Sequence, residues 1–392
     1  MAEASDLEPA VAIDAGAPCA AEQRSHVAVP AVNSKPHGRS QQRGDRPPPL
    51  YAALDLGTNN CRLLVAKPAR QGFRVVDAFS RIIRLGEGVS QSGRLSEAAI
   101  SRTIEALKIC AAKIANKRIA RSRAIATEAC RLAENGEDFI ARVARETGLK
   151  LEIVSRETEA RLAVSGCASL IDPDCEGALV FDIGGGSSEI ALLELKPGRR
   201  CCPLDAQRRI KAWTSLPVGV VTLAERYGGV EVTRDAFERM VAHVMAMLQG
   251  FEDKWNVSSQ LCKRNTHMLG TSGTVTTIAG IHLRLARYDR SKVDGCWLTM
   301  DEASEVTDRL VAMSYEERVA NPCIGAERAD LVLAGCAILE AIQRQWPCRR
   351  LRVADRGLRE GILSTLMAED GTLNIGGRRR NHLSRRWRNN QS

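Results

Sequence analysis

The chain has 392 residues, of which 44% are hydrophobic and 26% charged, which suits a globular protein of about two domains and excludes a fibrous or mainly disordered one. No apolar run reaches the roughly 18 residues that a membrane helix needs. The first ten residues, MAEASDLEPA, carry acids where a targeting peptide carries bases. We therefore expect a cytoplasmic protein without a membrane partner, and its thirteen dispersed cysteines indicate reduced thiols.

Both ends of the chain are predicted to be disordered. Residues 1–49 contain seven of the fourteen prolines and no aromatic residue. In the tail 369–392, six arginines supply +6 of the net charge of +9. Solvated disorder is the preferred interpretation of these arginines, and nucleic acid is not favoured as a partner, although an RNA-binding regulator remains the third functional hypothesis.

Strands and helices alternate between these ends. For 50–175 we predict strands at 51–57, 61–69, 73–86, 122–127 and 150–155, and helices that begin at Ser96, at 137 and at 157. For 176–368 we predict strands at 177–183, 187–195, 266–271 and 351–355, and helices at 235–251, from a capping box at Thr299, at 328–345 and from 358. This alternation is typical of an α/β protein.

Part of the pattern is repeated. The segment LDLGTNNCRLL (54–64) aligns with FDIGGGSSEIA (181–191), and both copies read apolar, Asp, apolar, Gly, four variable residues and a charged residue. Two copies of a strand, a turn and a second strand suggest two related domains, 50–175 and 176–368, that face each other across a cleft.

Glycine turns follow the first strand of each copy and one later strand. Backbone amides at such turns form a concave cluster of donors, and glycine allows a phosphate to approach closely because it has no Cβ. The predicted phosphate-binding residues are Gly57, Thr58, Asn59, Gly184, Gly185, Gly186, Ser187, Gly270, Ser272 and Gly273. A single triple glycine would be explained better by a flexible hinge than by phosphate binding, but three such turns favour phosphate binding.

Three acids, Asp55, Asp182 and Glu189, accompany the two repeated turns. Carboxylates repel phosphate, but they suit a hard cation that bridges carboxylate and phosphate oxygens. We therefore predict that Asp182 and Glu189 hold Mg²⁺ or another divalent cation, with support from Asp55.

The motifs DLGTNNCRLL, DIGGGSSE, LGTSGTVTT and DRGLREG (355–361) together resemble the Ppx/GppA phosphatases, which are exopolyphosphatases and guanosine pentaphosphate phosphohydrolases. The likeness spans about 51–366. It implies two ribonuclease-H-like domains of the actin-like ATPase superfamily, in a short two-domain form. The chain departs from the family at Asn60 and Ser188, where the usual residues are Ser and Thr, but both positions stay polar.

The resemblance also implies roles for two residues outside the turns. Glu159, in SRETEAR, corresponds to the general base of the family, with a solvated helix acid as the alternative. Arg131, in ATEACR, is a candidate phosphate contact, and an ion pair explains it equally well. Arg62 is a further candidate for binding the charged substrate.

The function expected from the sequence is a metal-dependent exopolyphosphatase, with a guanosine pentaphosphate phosphohydrolase as the alternative. A sugar or acetate-type kinase, or an ATP-binding regulator of the same superfamily, is a hypothesis of a different class, and the low aromatic content of 4% disfavours it mildly. Homodimer formation is left open.

Overall fold

The first part of the chain forms a five-stranded mixed sheet in the computed structural model, which describes residues 47–70, 72–262 and 265–373. Its strands are β1 (Leu50–Leu56), β2 (Asn60–Pro68), β3 (Phe73–Ile82), β4 (Ile119–Ala126) and β5 (Leu151–Ile153). Their order is β3-β2-β1-β4-β5, and β1 is antiparallel to β2 and parallel to β4. All five strands were predicted, although β3 ends four residues before the predicted end.

The second part forms a six-stranded sheet with the same plan. Its strands are β6 (Gly177–Ile183), β7 (Ser188–Glu194), β8 (Ile210–Leu216), β9 (Thr266–Thr271), β10 (Trp297–Thr299) and β11 (Arg350–Ala354). They lie in the order β10-β11-β9-β6-β7-β8. Leaving β10 aside, this order repeats that of the first sheet, with three antiparallel strands followed by two parallel ones. The predicted α/β class with two ribonuclease-H-like halves is confirmed.

Helices cover both sheets. They are α1 (Val89–Ser92), α2 (Glu97–Ala115), α3 (Glu128–Leu132), α4 (Gly136–Thr147), α5 (Arg156–Cys167), α6 (Pro203–Arg208), α7 (Val220–Tyr227), α8 (Arg234–Trp255), α9 (Val257–Cys262), α10 (Gly273–His282), α11 (Arg290–Val293), α12 (Met300–Ala312), α13 (Tyr315–Ala320), α14 (Val332–Gln345) and α15 (Leu358–Glu369). The helices of twelve or more residues were predicted, whereas the ten-residue α10 was predicted as a loop. The sequence missed most helices of four to eight residues, because such segments are too short to show an apolar periodicity.

The predicted helix ends have the expected chemistry. The Ser96 hydroxyl accepts a hydrogen bond from the Ala99 amide at 3.2 Å and begins α2. Gly148 ends α4 in a left-handed conformation with a φ of 72°. At α12 the Thr299 amide donates to the Glu302 carboxylate at 2.7 Å, and the Glu302 amide donates to the Thr299 hydroxyl at 3.2 Å.

Two helices lie between the sheets. The apolar side of α15 packs on the first sheet through Ile362 and Leu363, which contact Tyr51 and its neighbours. Helix α5 contributes Leu162 to the same cluster and Cys167 to a second cluster beneath the second sheet. The boundaries 50–175 and 176–368 stay a prediction, but the closing helix packs against the sheet that opens the chain.

The sequence also led to expectations about membrane helices, cysteines and the two ends of the chain. Within the part of the chain that the structure describes, no helix combines the length and the apolar character that crossing a bilayer requires. The twelve cysteines in that part are free thiols. The predicted disorder of the leader and of the tail concerns, apart from 47–49 and 369–373, residues outside the described ranges.

Candidate active site

A cavity of about 620 Å³ lies between the two sheets. Turns that follow β1, β6, β9 and β11 reach its wall, because strands that run parallel in one sheet end on the same side. Fourteen of the sequence-predicted residues line it: Asp55, Gly57, Thr58, Asn59, Arg62, Glu159, Asp182, Gly184, Gly185, Gly186, Ser187, Glu189, Ser272 and Gly273. The tertiary structure thus brings to one place motifs that are far apart in the chain.

The two repeated turns have the same backbone geometry. In the first glycine turn (57–59) the Gly57 amide donates to the carbonyl of Asn60 at 2.9 Å, and in the second glycine turn (184–187) the Gly184 amide donates to the carbonyl of Ser187, also at 2.9 Å. The turns contact each other. A Cβ on Gly185 would lie 2.9 Å from Cβ of Thr58, so glycine is required for this approach.

Neighbouring segments fix both turns. The carbonyl of Asn59 accepts a hydrogen bond from the Ile83 amide at 2.8 Å, because the chain turns back over the first glycine turn after β3. The carbonyl of Gly185 accepts one from the Val221 amide, also at 2.8 Å, at the start of α7. These bonds leave little freedom in the backbone, so the turn amides are organised before any ligand binds.

The third glycine turn joins β9 to α10. The Ser272 hydroxyl accepts a hydrogen bond from the Val275 amide at 3.0 Å, so Ser272 caps the helix. Helix N-termini favour anions, and Ser272 and Gly273 line the cavity. Gly270 does not line it. It lies inside β9, where a Cβ would come within 2.6 Å of the Phe181 ring, so packing and not phosphate explains this glycine.

The acids of the two hairpins have different neighbours. Asp55 pairs with Arg62 across the first hairpin, whereas Asp182 pairs with Glu189 across the second. Directly opposed residues of an antiparallel pair project from the same face. The first hairpin therefore carries one acid and one base on this face, and the second carries two acids.

Burial dominates the ionisation of these acids. Burial, with a smaller contribution from the nearby carboxylates of Glu159 and Asp55, raises the pKa of Asp182 to about 8. Burial and the charge of Asp182 raise the pKa of Glu189 to about 7, against hydrogen bonds from Ser215 and Ser187. Desolvated carboxylates so close together indicate a site that takes up positive charge.

Glu159 lies in the first turn of α5, which begins at the Ser155 cap, and its side chain reaches the cavity from between the two sheets. It is 6% exposed. Burial raises the pKa of its carboxyl well above the ordinary range, the charge of Glu189 adds to this, and Arg131 opposes it. A carboxylate with a raised pKa beside a phosphate-sized space is suited to accept a proton.

Arg131 does not line the cavity. Its guanidinium donates to Oε2 of Glu159 at 3.0 Å and contacts Glu128 as well. Of the two interpretations of Arg131 from sequence, the ion pair is the one that the structure contains. A phosphate contact at this position would require the guanidinium to leave two carboxylates.

The sequence assigned no role to four other arginines that line the cavity, Arg290, Arg328, Arg356 and Arg359. Arg356 pairs with Asp294. Arg290 pairs with Glu360 at 3.1 Å. Arg328 and Arg359 have no carboxylate partner among the described residues. Arg359 belongs to the DRGLREG motif, which indicated the segment but not its role, whereas no motif marks Arg328.

The donor set near the second hairpin fits Mg²⁺. Within residues 47–70, 72–262 and 265–373, no cluster of three or more His, Cys, Asp or Glu side chains is placed to hold a metal. Mg²⁺ commonly takes one or two carboxylates and keeps several waters, and Asp182 with Glu189 is such a pair. Asn59 and Asn60 also line the cavity, and their amide oxygens are buried without a donor, so they would be available to such an ion as further oxygen ligands.

Comparison with known proteins agrees with the geometry. A family model described as the Ppx/GppA phosphatase family matches residues 64–370. The chain belongs to the Ppx/GppA phosphatase family. The sequence motifs had indicated this membership, and it is confirmed.

Relatives of this Ppx/GppA chain carry two kinds of name. The guanosine-5'-triphosphate,3'-diphosphate pyrophosphatase of Aeromonas salmonicida is 28% identical over 82% of this chain and 60% of its own length. The chain thus spans about three fifths of that relative. The Aquifex aeolicus Ppx/GppA family member is 30% identical, with a TM-score of 0.66, over 83% of this chain and 99% of its own. A solved exopolyphosphatase-like protein is 28% identical, with a TM-score of 0.71, over 81% and 97%.

Proposed function

We propose that this Ppx/GppA chain hydrolyses the terminal phosphoanhydride bond of a polyanionic substrate, and that guanosine pentaphosphate is the preferred one. The Aeromonas relative, which is named for that class of substrate, supports this choice. Polyphosphate, which the sequence motifs put first, becomes the second candidate, supported by the likeness to an exopolyphosphatase-like protein.

The observation that carries the proposal is the contact between the two glycine turns beside a buried glutamate. Gly185 packs on Thr58, so two sets of turn amides face one small space. Glu159 lines the same cavity. Amide donors for phosphate oxygens next to a proton acceptor are the two requirements of phosphoryl transfer to water.

In the proposed reaction the turn amides hold the terminal phosphate. A water molecule gives a proton to the Glu159 carboxylate, and its oxygen forms a bond to the terminal phosphorus. The bond between that phosphorus and the bridging oxygen breaks, which releases orthophosphate and a substrate shorter by one phosphate. Base catalysis of this kind is worth about 10²–10⁴-fold in rate.

We further propose that Asp182 and Glu189, with Asp55 nearby, hold Mg²⁺. When bound, the ion would neutralise charge on phosphate oxygens and on Asp182 and Glu189, whose pKa values nearby carboxylates raise. Arg62, and the two arginines without a carboxylate partner, Arg328 and Arg359, would bind phosphates farther from the bond that breaks.

Phosphate release from guanosine pentaphosphate and from polyphosphate, measured side by side with Mg²⁺ and without ADP, tests the proposal. A higher kcat/KM on guanosine pentaphosphate supports it. A higher value on polyphosphate would make the second candidate correct. Phosphate transfer that requires ADP would instead support the kinase hypothesis.

A further inference from the structure

Four charged side chains form a continuous network behind the wall of the cavity. Arg156 donates from Nη2 to Oε1 of Glu128 at 2.5 Å, and Arg131 donates from Nε to Oε2 of Glu128 at 2.8 Å. The other arm of Arg131 reaches Oε2 of Glu159 at 3.0 Å. The order along the network is Arg156, Glu128, Arg131 and Glu159, so it ends at the proposed base.

Both carboxylates of this network are buried. The Glu128 side chain is 2% exposed and that of Glu159 is 9% exposed. A buried carboxylate is costly without a charged donor, and Glu128 has two arginines around it. Glu128 is thus a fixed anchor. The carbonyl of Val154 accepts a further hydrogen bond from Nη1 of Arg131, which sets the plane of the guanidinium.

The two oxygens of Glu159 therefore differ. Arg131 takes Oε2, and Oε1 accepts no hydrogen bond from any described residue. Since Glu159 lines the cavity and Arg131 does not, the free oxygen is the one available to water. The charge of Arg131 also opposes the rise in the pKa of Glu159 that burial and Glu189 cause.

We propose that Arg131 is a positioning residue, which Glu128 holds in place and which orients the Glu159 carboxylate toward the attacking water. The proposal rests on the function proposed above for Glu159. It differs from the phosphate contact expected from sequence, because in that role Arg131 would act on the substrate directly.

A double-mutant cycle distinguishes the two roles. Arg131→Gln, Glu159→Gln and the double variant are compared with the full-length protein. We expect Arg131→Gln to lower kcat by about 10²-fold, the loss that small misplacement of a catalytic group causes. If Arg131 acts only through Glu159, the double variant has the same kcat as Glu159→Gln alone, because nothing remains to be positioned. Effects that multiply would overturn the proposal.

Binding gives a second readout that does not depend on turnover. Calorimetric titration with tripolyphosphate, in the Glu159→Gln background, should give the same Kd within about threefold whether residue 131 is Arg or Gln. A Kd at least about tenfold weaker, which is about 1.4 kcal/mol, would identify Arg131 as a phosphate ligand.

Two further variants protect the test from loss of folding. Arg131→Lys keeps the charge but loses the second donor arm, so kcat should lie between those of wild type and Arg131→Gln. Glu128→Gln should lower kcat without changing the Kd for tripolyphosphate. Arg142→Gln is the matched control, because Arg142 also bridges two carboxylates, Glu97 and Glu146, on the outer face of α4, and its kcat should equal that of wild type.

Crystal structures of wild type and Arg131→Gln complete the design, because they need no activity. A Glu159 carboxylate that moves or becomes disordered in the variant supports the positioning role, and an unmoved one overturns it. If wild type releases phosphate from neither substrate while Glu159 moves in the variant, the proposed function fails and the positioning role stands.

Discussion

The carboxylates that line the cavity differ in the hydrogen-bond donors that they have. Glu159 accepts a hydrogen bond from Arg131, and Glu189 accepts one from the Ser215 hydroxyl at 2.8 Å. Asp55 and Asp182 accept none from any described residue. The acids with protein donors have fixed orientations, whereas the other two are free to respond to a ligand.

Replacing the proposed base tests its chemistry without changing its shape. Glu159→Gln should lower kcat by about 10²-fold or more and leave substrate binding nearly unchanged, because an amide cannot accept the proton. Glu157→Gln is the control, since Glu157 lies on the exposed side of the same helix turn and pairs with Arg161. A Glu159→Gln enzyme that keeps more than about a third of the wild-type kcat would contradict the assignment.

The acids of the second hairpin should control metal use. Asp182→Asn or Glu189→Gln should abolish activity at ordinary Mg²⁺ concentrations, with any remainder needing far more Mg²⁺, because each removes a charged ligand. The measurement is phosphate release as a function of Mg²⁺ concentration, with Asp308→Asn, an exposed acid of α12, as the control. An unchanged Mg²⁺ titration would exclude the metal role of the residue concerned.

Helices α5 and α15 cross at glycine. A Cβ on Gly166 would lie 1.9 Å from the carbonyl oxygen of Gly357, and one on Gly361 would lie 2.1 Å from that of Leu162. Because these are backbone atoms, no side chain can move aside. The close crossing holds Glu159 and Arg359, which belong to the two helices, in a defined relation.

The crossing predicts opposite effects for two similar substitutions. Gly166→Ala should destabilise the protein by about 1–3 kcal/mol, as overpacked sites do. Gly250→Ala, at an exposed position of α8 with nothing within 4 Å of the added Cβ, should stabilise it by about 0.4–1 kcal/mol. Urea unfolding of both variants measures the difference. Equal stabilities would show that the crossing has room to relax.

A buried histidine in β9 predicts a pH dependence of stability. His267 is fully buried, its Nε2 accepts a hydrogen bond from the Asp172 amide at 3.2 Å, and its Nδ1 is 2.9 Å from the carbonyl of Met268. The neutral ring satisfies both contacts. Burial lowers the pKa of His267, with a smaller contribution from the charges of Arg350 and Arg352, against Asp172 and the Met268 carbonyl.

The direction in which stability changes with pH follows from proton uptake by the unfolded chain. Below about pH 6.5 the unfolded chain binds a proton on this histidine that the native state does not bind, so native stability falls as pH falls through that range. The free energy of unfolding, measured by urea from pH 7.5 to 5.5, should therefore decrease less for His267→Gln than for wild type. Identical pH dependence in the two proteins would contradict the prediction.

Contacts between the two halves close one side of the cavity region. Arg84 donates to both oxygens of Asp330 at 2.8 and 3.2 Å. Glu225 accepts a hydrogen bond from the Gly88 amide at 2.8 Å and one from the Ser90 hydroxyl at 2.5 Å. These contacts join the segment after β3 to α7 and to the start of α14, next to the two glycine turns.

The arginine-rich tail should affect delivery of substrate and not chemistry. Replacing the six arginines of 376–392 by glutamine removes +6 of the net charge of +9. At low salt this should raise KM for long polyphosphate and leave kcat unchanged, because the attraction acts over a distance. The difference should shrink at about 0.15 M salt, where the Debye length is near 8 Å. A lower kcat on tripolyphosphate would mean that the arginines enter the active site.

The sequence by itself determined most of the strands, the helices of twelve or more residues and the residue types of the glycine turns. Short stretches of sequence were enough to predict strand β1, the repeated hairpins and the glycine turns, because strand patterning and turn conformation depend on neighbouring residues. The roles of the hairpin acids were predicted from the residues themselves, and that of Glu159 from the resemblance to the family. The local sequence could not show whether position 270 is glycine for phosphate binding or for packing, since both require a residue without a Cβ.

Tertiary structure alone decided which partner each charged group has. Arg131 meets Glu159 because β4 ends beside α5, and α15 returns to the first sheet although it closes the chain. Arg328 and Arg359 reach the cavity only through such long-range packing. The physical reason is that an ion pair depends on distance in space, and residues 28 or more positions apart, as Arg131 and Glu159 are, come together only when the sheets and helices have packed.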